Sequence, residues 1–578
     1  MSGSIFLAST ETAVQETAGT LLVEIRRSGG FVGDVTILYG VTGDTATEGA
    51  DYTVGGTGSI VMAAGLDSIT VPITILDDAL GEGTEVTTFA LISATGAALT
   101  APRTNRISIL DDEAPSPPPP LEPPLSSPYD VSKLVAVNGL DTPVRFAFSP
   151  VDPDVVFVAE KGGIVRLANV ETGGLGIFLD LRDQVNSAGD RGLLDVVLHP
   201  DFVANPYVYV FHVVDPPETA GLGGNEGQDG GGNRYSQIVR YTADAATNYL
   251  SVVAGSGVVI LGNAGQSLSD ISGGGTLDFT DPTHSGEIAS DRISDAGDTV
   301  INGFKQNFLK ADSLSHNGGK MLFGPDGMLY VLTGDATSYN YADPRTPDVQ
   351  ALDSLSGKVL RIDPLTGQGL ADNPFAASAV DLDADRAKIF QLGLRNPFSA
   401  AFNAEGQLFI ADVGWSSFEE INASGPGANF GWPYYEGGDG GVLNQTPGYN
   451  GLPGAAAFYD AVAAGTIQIT PAFRAFAHDG GAPGFALQSI TSGGIFLPGN
   501  PYPAPLLNDF VFSDFVGGNV YTVDTSASGT ASFLFDWGDF GPVHMVQGPN
   551  GFLYYADLFT GQIGRLEITL APPPPVQA

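Results

Sequence analysis

The chain has 578 residues, of which 65 are acidic and 24 are basic, so its formal net charge at pH 7 is −41. This surplus of carboxylates argues against nucleic acids and anionic membranes as partners, because both are bound by surfaces rich in Lys and Arg. The absence of cysteine excludes disulfides and thiolate metal sites. The many carboxylates instead favour calcium, a hard cation that takes oxygen ligands.

The composition also bears on the fold class and on where the protein is found. The 77 glycines and 40 prolines favour many turns, and a hydrophobic content of 43% supports packed cores. No apolar run is long enough to span a bilayer, and the start MSGSIFLAST lacks the basic region and hydrophobic core of a cleavable signal peptide. A cysteine-free chain that depends on calcium nevertheless suits an extracellular or cell-surface location, which is our expectation.

Residues 1–113 have the pattern of a β-sandwich. Short alternating segments recur between turns rich in glycine and aspartate: TLLVEIRRS, DVTILYGV, GSIVMAA, SITVPITIL, TTFALISA and NRISIL. Strands of this length and spacing are typical of two packed antiparallel sheets. Two of the segments end in ILDD, at 75–78 and 109–112.

These acidic strand ends allow two interpretations. Any one carboxylate taken alone is a solvated turn residue. In a sandwich, however, strand ends can converge at one pole, where crowded carboxylates repel one another unless a cation lies between them. The order Glu16, GADY, ITILDD, FAL and ISILDDE resembles the Calx-β domain, a calcium-binding immunoglobulin-like sandwich, over the whole of 1–113. The resemblance implies calcium ligands among Glu16, Asp51, Asp77, Asp78, Asp111 and Asp112.

A proline-rich linker at 114–128, APSPPPPLEPPLSSP, separates this sandwich from the rest, and a similar tail occupies 571–578. Between them, residues 129–570 repeat a unit of apolar strand, Gly/Pro/Asp turn and second strand, as in FGPDGMLYVLTGD and VQGPNGFLYYAD. Sheet units that recur at irregular spacing predict a β-propeller. Residues 213–300 contain a Gly/Asp/Ser-rich insertion, which we expect to be a surface excursion.

His316 is the first candidate for chemistry in the predicted propeller. It stands in LSHNGGKMLFGPDGMLYVLTGD, directly before two strands joined by a GPDG turn. One interpretation is a histidine that hydrogen-bonds the backbone at the end of a loop. The other is an imidazole held at a mouth of the fold as a proton acceptor, since its pKa lies near neutrality.

Three further segments carry residues that could join it. They are GDRGLLDVVLHPDF with Asp190, GLRNPFSAAF with Arg395 and Asn396, and ADVGWSSFEEINASGPGANFGWP with carboxylates and two tryptophans. Each residue taken alone suits a structural role. Together with SGKVLRIDP and in this order, the segments resemble the soluble glucose/sorbosone dehydrogenases over about 131–570. These are six-bladed propellers that use pyrroloquinoline quinone and calcium. The implied fold class is all-β, an immunoglobulin-like β-sandwich joined to a six-bladed β-propeller.

The resemblance implies roles for individual residues. His316 matches the base that takes the hydroxyl proton of a sugar or alcohol while hydride passes to the quinone. Arg395 and Asn396 match residues that polarise the quinone carbonyl region, and Asp190 matches a residue near the substrate.

The resemblance also implies calcium in the propeller. Gly414 and Trp415 match positions whose backbone carbonyls hold the calcium of the cofactor. Glu419, Glu420 and Phe430 align with a second calcium site.

The sequence departs from the resemblance at the cations that hold the cofactor's carboxylates. Leu497, Gly541 and Val543 stand where basic residues are implied, and carboxylates left unpaired in a partly dry cleft are unfavourable. Two functions therefore stay open. One is a quinone-dependent dehydrogenase, and the other is a propeller without cofactor that binds surface glycans as a calcium-dependent adhesion module. A hydrolase has little support, because no G-x-S-x-G motif or carboxylate pair stands out.

Overall fold

The computed structural model describes residues 3–43, 46, 49, 51–54, 58–77, 85–110, 127–262, 267–271, 282–284, 286–294, 297–438, 442–478, 486–526, 529–538 and 540–571. The chain divides into two compact units, Met1–Pro124 and Leu125–Ala578. Within the ranges just given, no helix combines the length and the apolarity needed to cross a membrane.

The first unit is a β-sandwich. Its strands are β1 (Ser4–Leu7), β2 (Glu11–Gln15), β3 (Thr20–Ser28), β4 (Val35–Gly43), β5 (Tyr52–Val54), β6 (Ser59–Met62), β7 (Ser68–Ile75), β8 (Glu85–Thr95), β9 (Ala98–Leu99) and β10 (Thr104–Leu110). They form one sheet in the order β5-β7-β3-β1-β9 and another in the order β2-β10-β8-β4-β6. Alternate residues of a strand point to opposite faces, so Ile25, Ile73 and Phe89 are fully buried in the core between the sheets.

The second unit is also built almost entirely from strands. They are β11 (Tyr129–Val137), β12 (Pro143–Phe148), β13 (Val155–Glu160), β14 (Ile164–Asn169), β15 (Leu175–Asp180), β16 (Leu193–Leu198), β17 (Tyr207–Val214), β18 (Arg234–Thr242), β19 (Val258–Leu261), β20 (Val300–Ile301), β21 (Phe304–Lys305), β22 (Leu309–Ala311), β23 (Gly318–Phe323), β24 (Leu329–Thr333), β25 (Lys358–Ile362), β26 (Ile389–Leu392), β27 (Pro397–Phe402), β28 (Leu408–Asp412), β29 (Phe418–Ala423), β30 (Arg474–Ala477), β31 (Ile490–Ile495), β32 (Phe510–Asp514), β33 (Asn519–Val523), β34 (Ala531–Asp536), β35 (His544–Gln547), β36 (Leu553–Asp557) and β37 (Gln562–Leu570). The α-helices of the described residues are α1 (Asp385–Lys388) and α2 (Ala455–Ala463).

These strands form the six blades of a propeller. Five blades are the antiparallel sheets β12–β15, β16–β19, β23–β26, β27–β30 and β31–β34, and β22 adds an edge strand to the second of them. The sixth blade has the order β11-β37-β36-β35, so its outermost strand comes from the start of the unit. The first strand of each blade contacts the first strand of the next, from β12 through β16, β23, β27, β31 and β35 back to β12. The predicted all-β fold of sandwich and six-bladed propeller is confirmed.

The stretch 213–300 is only partly a surface excursion. It includes β18 and β19, which lie in the sheet of the second blade, and residues 234–239 of β18 are buried. The Gly-rich segment before β18 folds into short turns, one of which is the 3-10 turn Gly224–Glu226.

Candidate active site

A cavity of about 750 Å³ lies at one end of the ring of inner strands. Each blade contributes a lining residue at or just before the start of its inner strand, and these are Arg145, Asp190, His316, Arg395, Ser489 and Val543. Blades of a propeller are arranged around one central channel, so residues at equivalent positions in the blades meet at the same face. The fold therefore brings together segments that are far apart in sequence.

His316 is buried against this cavity, and its ring is held by a carboxylate. Nδ1 of His316 lies 3.0 Å from Oδ1 of Asp335, and the exposed fraction of His316 is 4%. The β23–β24 hairpin brings the two residues together, since Gly318 pairs with Thr333 and, beyond the strand ends, the N–H of Ala336 donates to the carbonyl of His316 at 3.1 Å. Because Nδ1 is engaged, Nε2 is the ring nitrogen left for a ligand.

The surroundings of His316 affect its protonation. Burial, together with the positive charge of Arg395, lowers the pKa of His316 below its ordinary value, against the opposing charges of Asp335 and Asp190. Burial alone would raise the pKa of Asp335, but the charge of His316 and their hydrogen bond bring it below its ordinary value. The pair is therefore a neutral imidazole beside an ionised carboxylate at neutral pH.

Arg395 and Asn396 are positioned by one buried carboxylate. Their backbone N–H groups donate to the two oxygens of Asp412, at 3.0 Å and 2.7 Å. Burial raises the pKa of Asp412 to about 7. The guanidinium of Arg395 donates to the carbonyl of Val413 at 3.0 Å and lies 5.6 Å from the ring centre of Trp432.

Asp190 is open to solvent inside the cavity. The surrounding protein still desolvates its carboxyl group, which raises the pKa of Asp190 against the charges of His316 and Lys161. Its position in the cavity places it close enough to influence the titration of the histidine.

The residues aligned with the cofactor's calcium lie beside Arg395. The carbonyl of Gly414 accepts a hydrogen bond from Nη1 of Arg395. The backbone N–H of Trp415 donates to Oε1 of Glu436 at 2.6 Å. Glu436 is a buried carboxylate that the sequence reasoning missed, and the same oxygen also accepts from the N–H groups of residues 416–418.

The residues aligned with a second calcium do not share one environment. Glu419 contacts His478 Nε2 at 2.8 Å and accepts from the N–H of Ile490. Glu420 instead accepts from Asn422 and from the N–H of Gly437. Consecutive residues of β29 point to opposite faces of the sheet, so the two carboxylates are separated. Phe430 is buried in the core between the third and fourth blades. Among the described residues, no group of three or more His, Asp or Glu side chains is arranged to hold a metal ion.

In the sandwich, the described candidate ligands come from segments joined by backbone hydrogen bonds. The N–H of Leu76 donates to the carbonyl of Asp51, and that of Ile75 donates to Gly19, next to the 3-10 turn Glu16–Ala18. The side chains of Glu16 and Asp51 are buried, whereas Asp77 is exposed. Asp78, Asp111 and Asp112 lie outside the described residues.

The three positions that lack a basic residue do not all face the cavity. Val543 lines it, whereas Leu497 packs against the core between the fourth and fifth blades. Gly541 has no positive φ, but a Cβ at this position would lie 2.8 Å from the carbonyl oxygen of Asp514. The cavity is nevertheless lined by four cations, Arg145, Lys161, Arg191 and Arg395, three of which the sequence reasoning missed.

Comparison with known proteins identifies the class that this fold and site define. The model of the Glucose / Sorbosone dehydrogenase family matches residues 140–254 and 285–477, which is more than half of the chain, and the chain belongs to this family. The Calx-beta domain model matches residues 1–113, so the chain carries a Calx-beta domain at its N-terminal end.

Individual relatives are distant. The chain is 24% identical over 416 residues to the HIPL1 protein of Arabidopsis thaliana, covering 67% of this chain and 52% of the relative. It is 26% identical over 314 residues to quinoprotein glucose dehydrogenase B of Acinetobacter calcoaceticus, covering 52% of each. The chain thus spans about half the length of these curated relatives. A crystal structure of glucose dehydrogenase matches with a TM-score of 0.50 and 20% identity, over 76% of this chain and 98% of that one, which supports the fold alone.

Proposed function

We propose that the propeller is a pyrroloquinoline quinone-dependent dehydrogenase that oxidises a hydroxyl group of a sugar or small alcohol. The observation that carries the proposal is His316, which lines a cavity together with Arg395 and is held from the protein side by the buried carboxylate of Asp335. Alcohol oxidation needs a base at the hydroxyl, an acceptor for the hydride and cations near the developing charge. The quinone, when bound, supplies the hydride acceptor.

His316 is the base in this proposal. Its Nε2 takes the hydroxyl proton, and the ionised Asp335 stabilises the imidazolium that forms. The lowered pKa of His316 keeps the ring neutral, and so able to accept a proton, at neutral pH. Asp190 is in the same cavity and is a hydrogen-bond partner for a second hydroxyl of the substrate.

The cavity fits a large polar cofactor. Its volume of about 750 Å³ is in the range of small-molecule sites. Several buried polar atoms of its lining have no hydrogen-bond partner among the described residues, namely Arg145 Nε, Ser315 Oγ, Asn317 Nδ2 and Oδ1, and Arg395 Nε. Native proteins rarely leave such atoms unpaired. Arg395 and Asn396 are the residues that would hold the quinone, and Gly414 and Trp415 offer backbone carbonyls to a calcium ion.

Calcium in the sandwich and an extracellular or cell-surface location belong to the same proposal. The support is the pair of buried carboxylates, Glu16 and Asp51, near the end of β7. Carboxylate oxygens are ligands that calcium prefers, and residues 1–113 match the Calx-beta domain model.

One observation favours the second function, a propeller that binds surface glycans without a cofactor. The Gly414 carbonyl is already occupied by the Arg395 guanidinium, and a calcium ion there would have to displace that cation. Under this alternative, the polar cavity binds a sugar without oxidising it.

Titration of the purified full chain with pyrroloquinoline quinone, with and without calcium, tests the proposal. We expect a calcium-dependent change in quinone absorbance, followed by reduction of an artificial electron acceptor when aldoses or alcohols are added. Binding of sugars without any binding of quinone would refute the dehydrogenase and favour the glycan-binding alternative.

A further inference from the structure

The cavity collects positive charge in a strongly acidic protein. The chain has 65 acidic and 24 basic residues, yet among the residues that the structure describes the cavity is lined by four basic side chains and one carboxylate, that of Asp190. A site with this balance attracts an anion. The question is which of its cations remain available to a ligand.

Two of the four cations already have other tasks. The guanidinium of Arg191 is fully buried and donates to backbone carbonyls of Gly230, Ala311 and Ser313. Arg395 belongs to the site described above. The remaining two, Arg145 and Lys161, both come from the first blade, on β12 and directly after β13.

Lys161 reaches the cavity over a glycine. Its side chain packs on Gly192, where a Cβ would lie 2.8 Å from Lys161 Cγ, so the missing side chain leaves room for the lysine. The ammonium is half-buried and donates to the Ser187 carbonyl. An ammonium has three donors, and in the described part of the chain Lys161 forms no ion pair with a carboxylate.

Arg145 adds a fixed charge at the central channel. Its guanidinium donates to the carbonyls of Leu194 on the second blade and Phe398 on the fourth, so it extends from the first blade towards the opposite side of the ring. Its exposed fraction is 1%, and Nε has no partner among the described residues. The guanidinium also lies 4.8 Å from the ring centre of Phe398, and the charge of Asp195 acts on it. Burial of the charge is still costly, and an anion in the cavity would lower that cost.

We infer that Lys161 binds a carboxylate of the quinone cofactor, supported by the buried charge of Arg145, in place of the cations absent from positions 497, 541 and 543. This inference rests on the proposed function. Charge recognition by the first blade explains how the site can hold a tricarboxylate although Leu497 and Gly541 lie outside the cavity lining. An acidic sugar also carries a carboxylate that Lys161 could bind, so the experiment must distinguish such a substrate from the cofactor.

The first measurement is calorimetry of pyrroloquinoline quinone binding to the full chain in the presence of calcium. Loss of one charge-assisted hydrogen bond weakens binding by about 10- to 100-fold, which we expect for Lys161→Met. We expect a loss of similar size for Arg145→Gln, whereas Arg145→Lys, which keeps the charge, should stay closer to wild type. Arg182→Gln is the matched control. Arg182 belongs to the same blade, but its side chain is 61% exposed and pairs with Asp180 at 2.6 Å. The affinity of this variant for the quinone should equal that of wild type.

A second probe separates charge recognition from damage to the fold. The trimethyl ester of the quinone lacks the carboxylate charges, so wild type should bind it less tightly than the acid. Lys161→Met should discriminate between acid and ester less strongly than wild type does, and its thermal unfolding should match wild type.

The outcomes are distinguishable. Equal affinity of wild type and Lys161→Met for the acid overturns the inference and leaves the proposed function intact. Failure of wild type to bind the quinone overturns both. If glucuronate, rather than the quinone, binds in a manner that depends on Lys161, the carboxylate belongs to the substrate and the assignment to the cofactor is wrong.

Discussion

Trp432 Nε1 donates a hydrogen bond of 2.9 Å to Oδ2 of Asp335, while Oδ1 of the same carboxylate lies 3.0 Å from His316 Nδ1. The N–H of Thr337 also donates to Oδ1, at 2.9 Å. Each oxygen of Asp335 thus has its own partners, so the carboxylate cannot rotate without losing hydrogen bonds. The carboxylate of Asp335 therefore fixes the orientation of the His316 imidazole.

Asp335→Asn should lower kcat by roughly 10²–10⁴-fold, because the amide keeps the shape of the side chain but removes the charge that stabilises the imidazolium. KM should change little. Trp432→Phe is the control, since it removes one hydrogen bond and should cost less than about 10-fold in kcat. Steady-state kinetics with the quinone-loaded protein checks both, and equal effects of the two variants would contradict the role given to the charge.

His316→Asn should abolish most dehydrogenase activity without unfolding the propeller. His316 has a φ of +57°, a left-handed conformation that asparagine tolerates better than most residues. His316→Ala also removes the base, but adds backbone strain of roughly 1–2 kcal/mol. Loss of a general base costs roughly 10²–10⁴-fold in rate. If either variant keeps activity within a few-fold of wild type, with thermal unfolding measured in parallel, His316 is only structural.

The value of kcat/KM should fall as the pH is lowered through the pKa of His316. The neutral imidazole is the active form, and burial with the Arg395 charge holds its pKa below 6.5. As pH rises through that pKa, kcat/KM should therefore increase and then level off at a lower pH than it would with an unperturbed imidazole. Asp190→Asn removes a negative charge that raises this pKa, so its acid limb should move to lower pH. An unchanged profile in the variant would mean that another group controls the limb.

Gly334→Ala should disturb the site through packing. A Cβ at Gly334 would clash with the carbonyl oxygen of His316, and crowding of this kind costs about 1–3 kcal/mol or more. We expect a lower melting temperature together with reduced activity. Gly425→Ala is a suitable control, because nothing lies within 4 Å of the added Cβ. Equal stability of the two variants would show that the His316 loop moves freely.

Calcium should stabilise the N-terminal sandwich. Ligand that binds only the folded state adds RT ln(1 + [L]/Kd) to the free energy of unfolding, so a melting transition of the full chain should rise with calcium and fall with chelator. Asp51→Asn should weaken this response, whereas Glu11→Gln, which changes an exposed carboxylate on β2, should not. A transition indifferent to chelator would exclude calcium from the sandwich.

Sequence was sufficient for the local parts of this structure. The hairpin around GPDG was predicted from its turn residues. The side-chain contact of His316 with Asp335 lies beyond the paired strand ends, after a register shift between Gly318 and Lys320, and the sequence reasoning missed it. Arg145 offered no such signal, because its contacts Leu194 and Phe398 are 49 and 253 residues away. The separation of Glu419 from Glu420 also depended on knowing that both lie within one strand. Contacts that form only when the ring of blades closes cannot be predicted from local sequence patterns.

The sixth blade has a consequence for synthesis of the protein. Tyr129–Val137 is the first described strand of the propeller to emerge from the ribosome, yet its partner Gln562–Leu570 follows every other described strand of the propeller. Until that strand appears, the first strand of the propeller has no neighbour in its sheet and the ring of blades stays open. Contacts between residues so distant in sequence form slowly, so the cavity, which takes residues from every blade, can acquire its shape only after Gln562–Leu570 has left the ribosome.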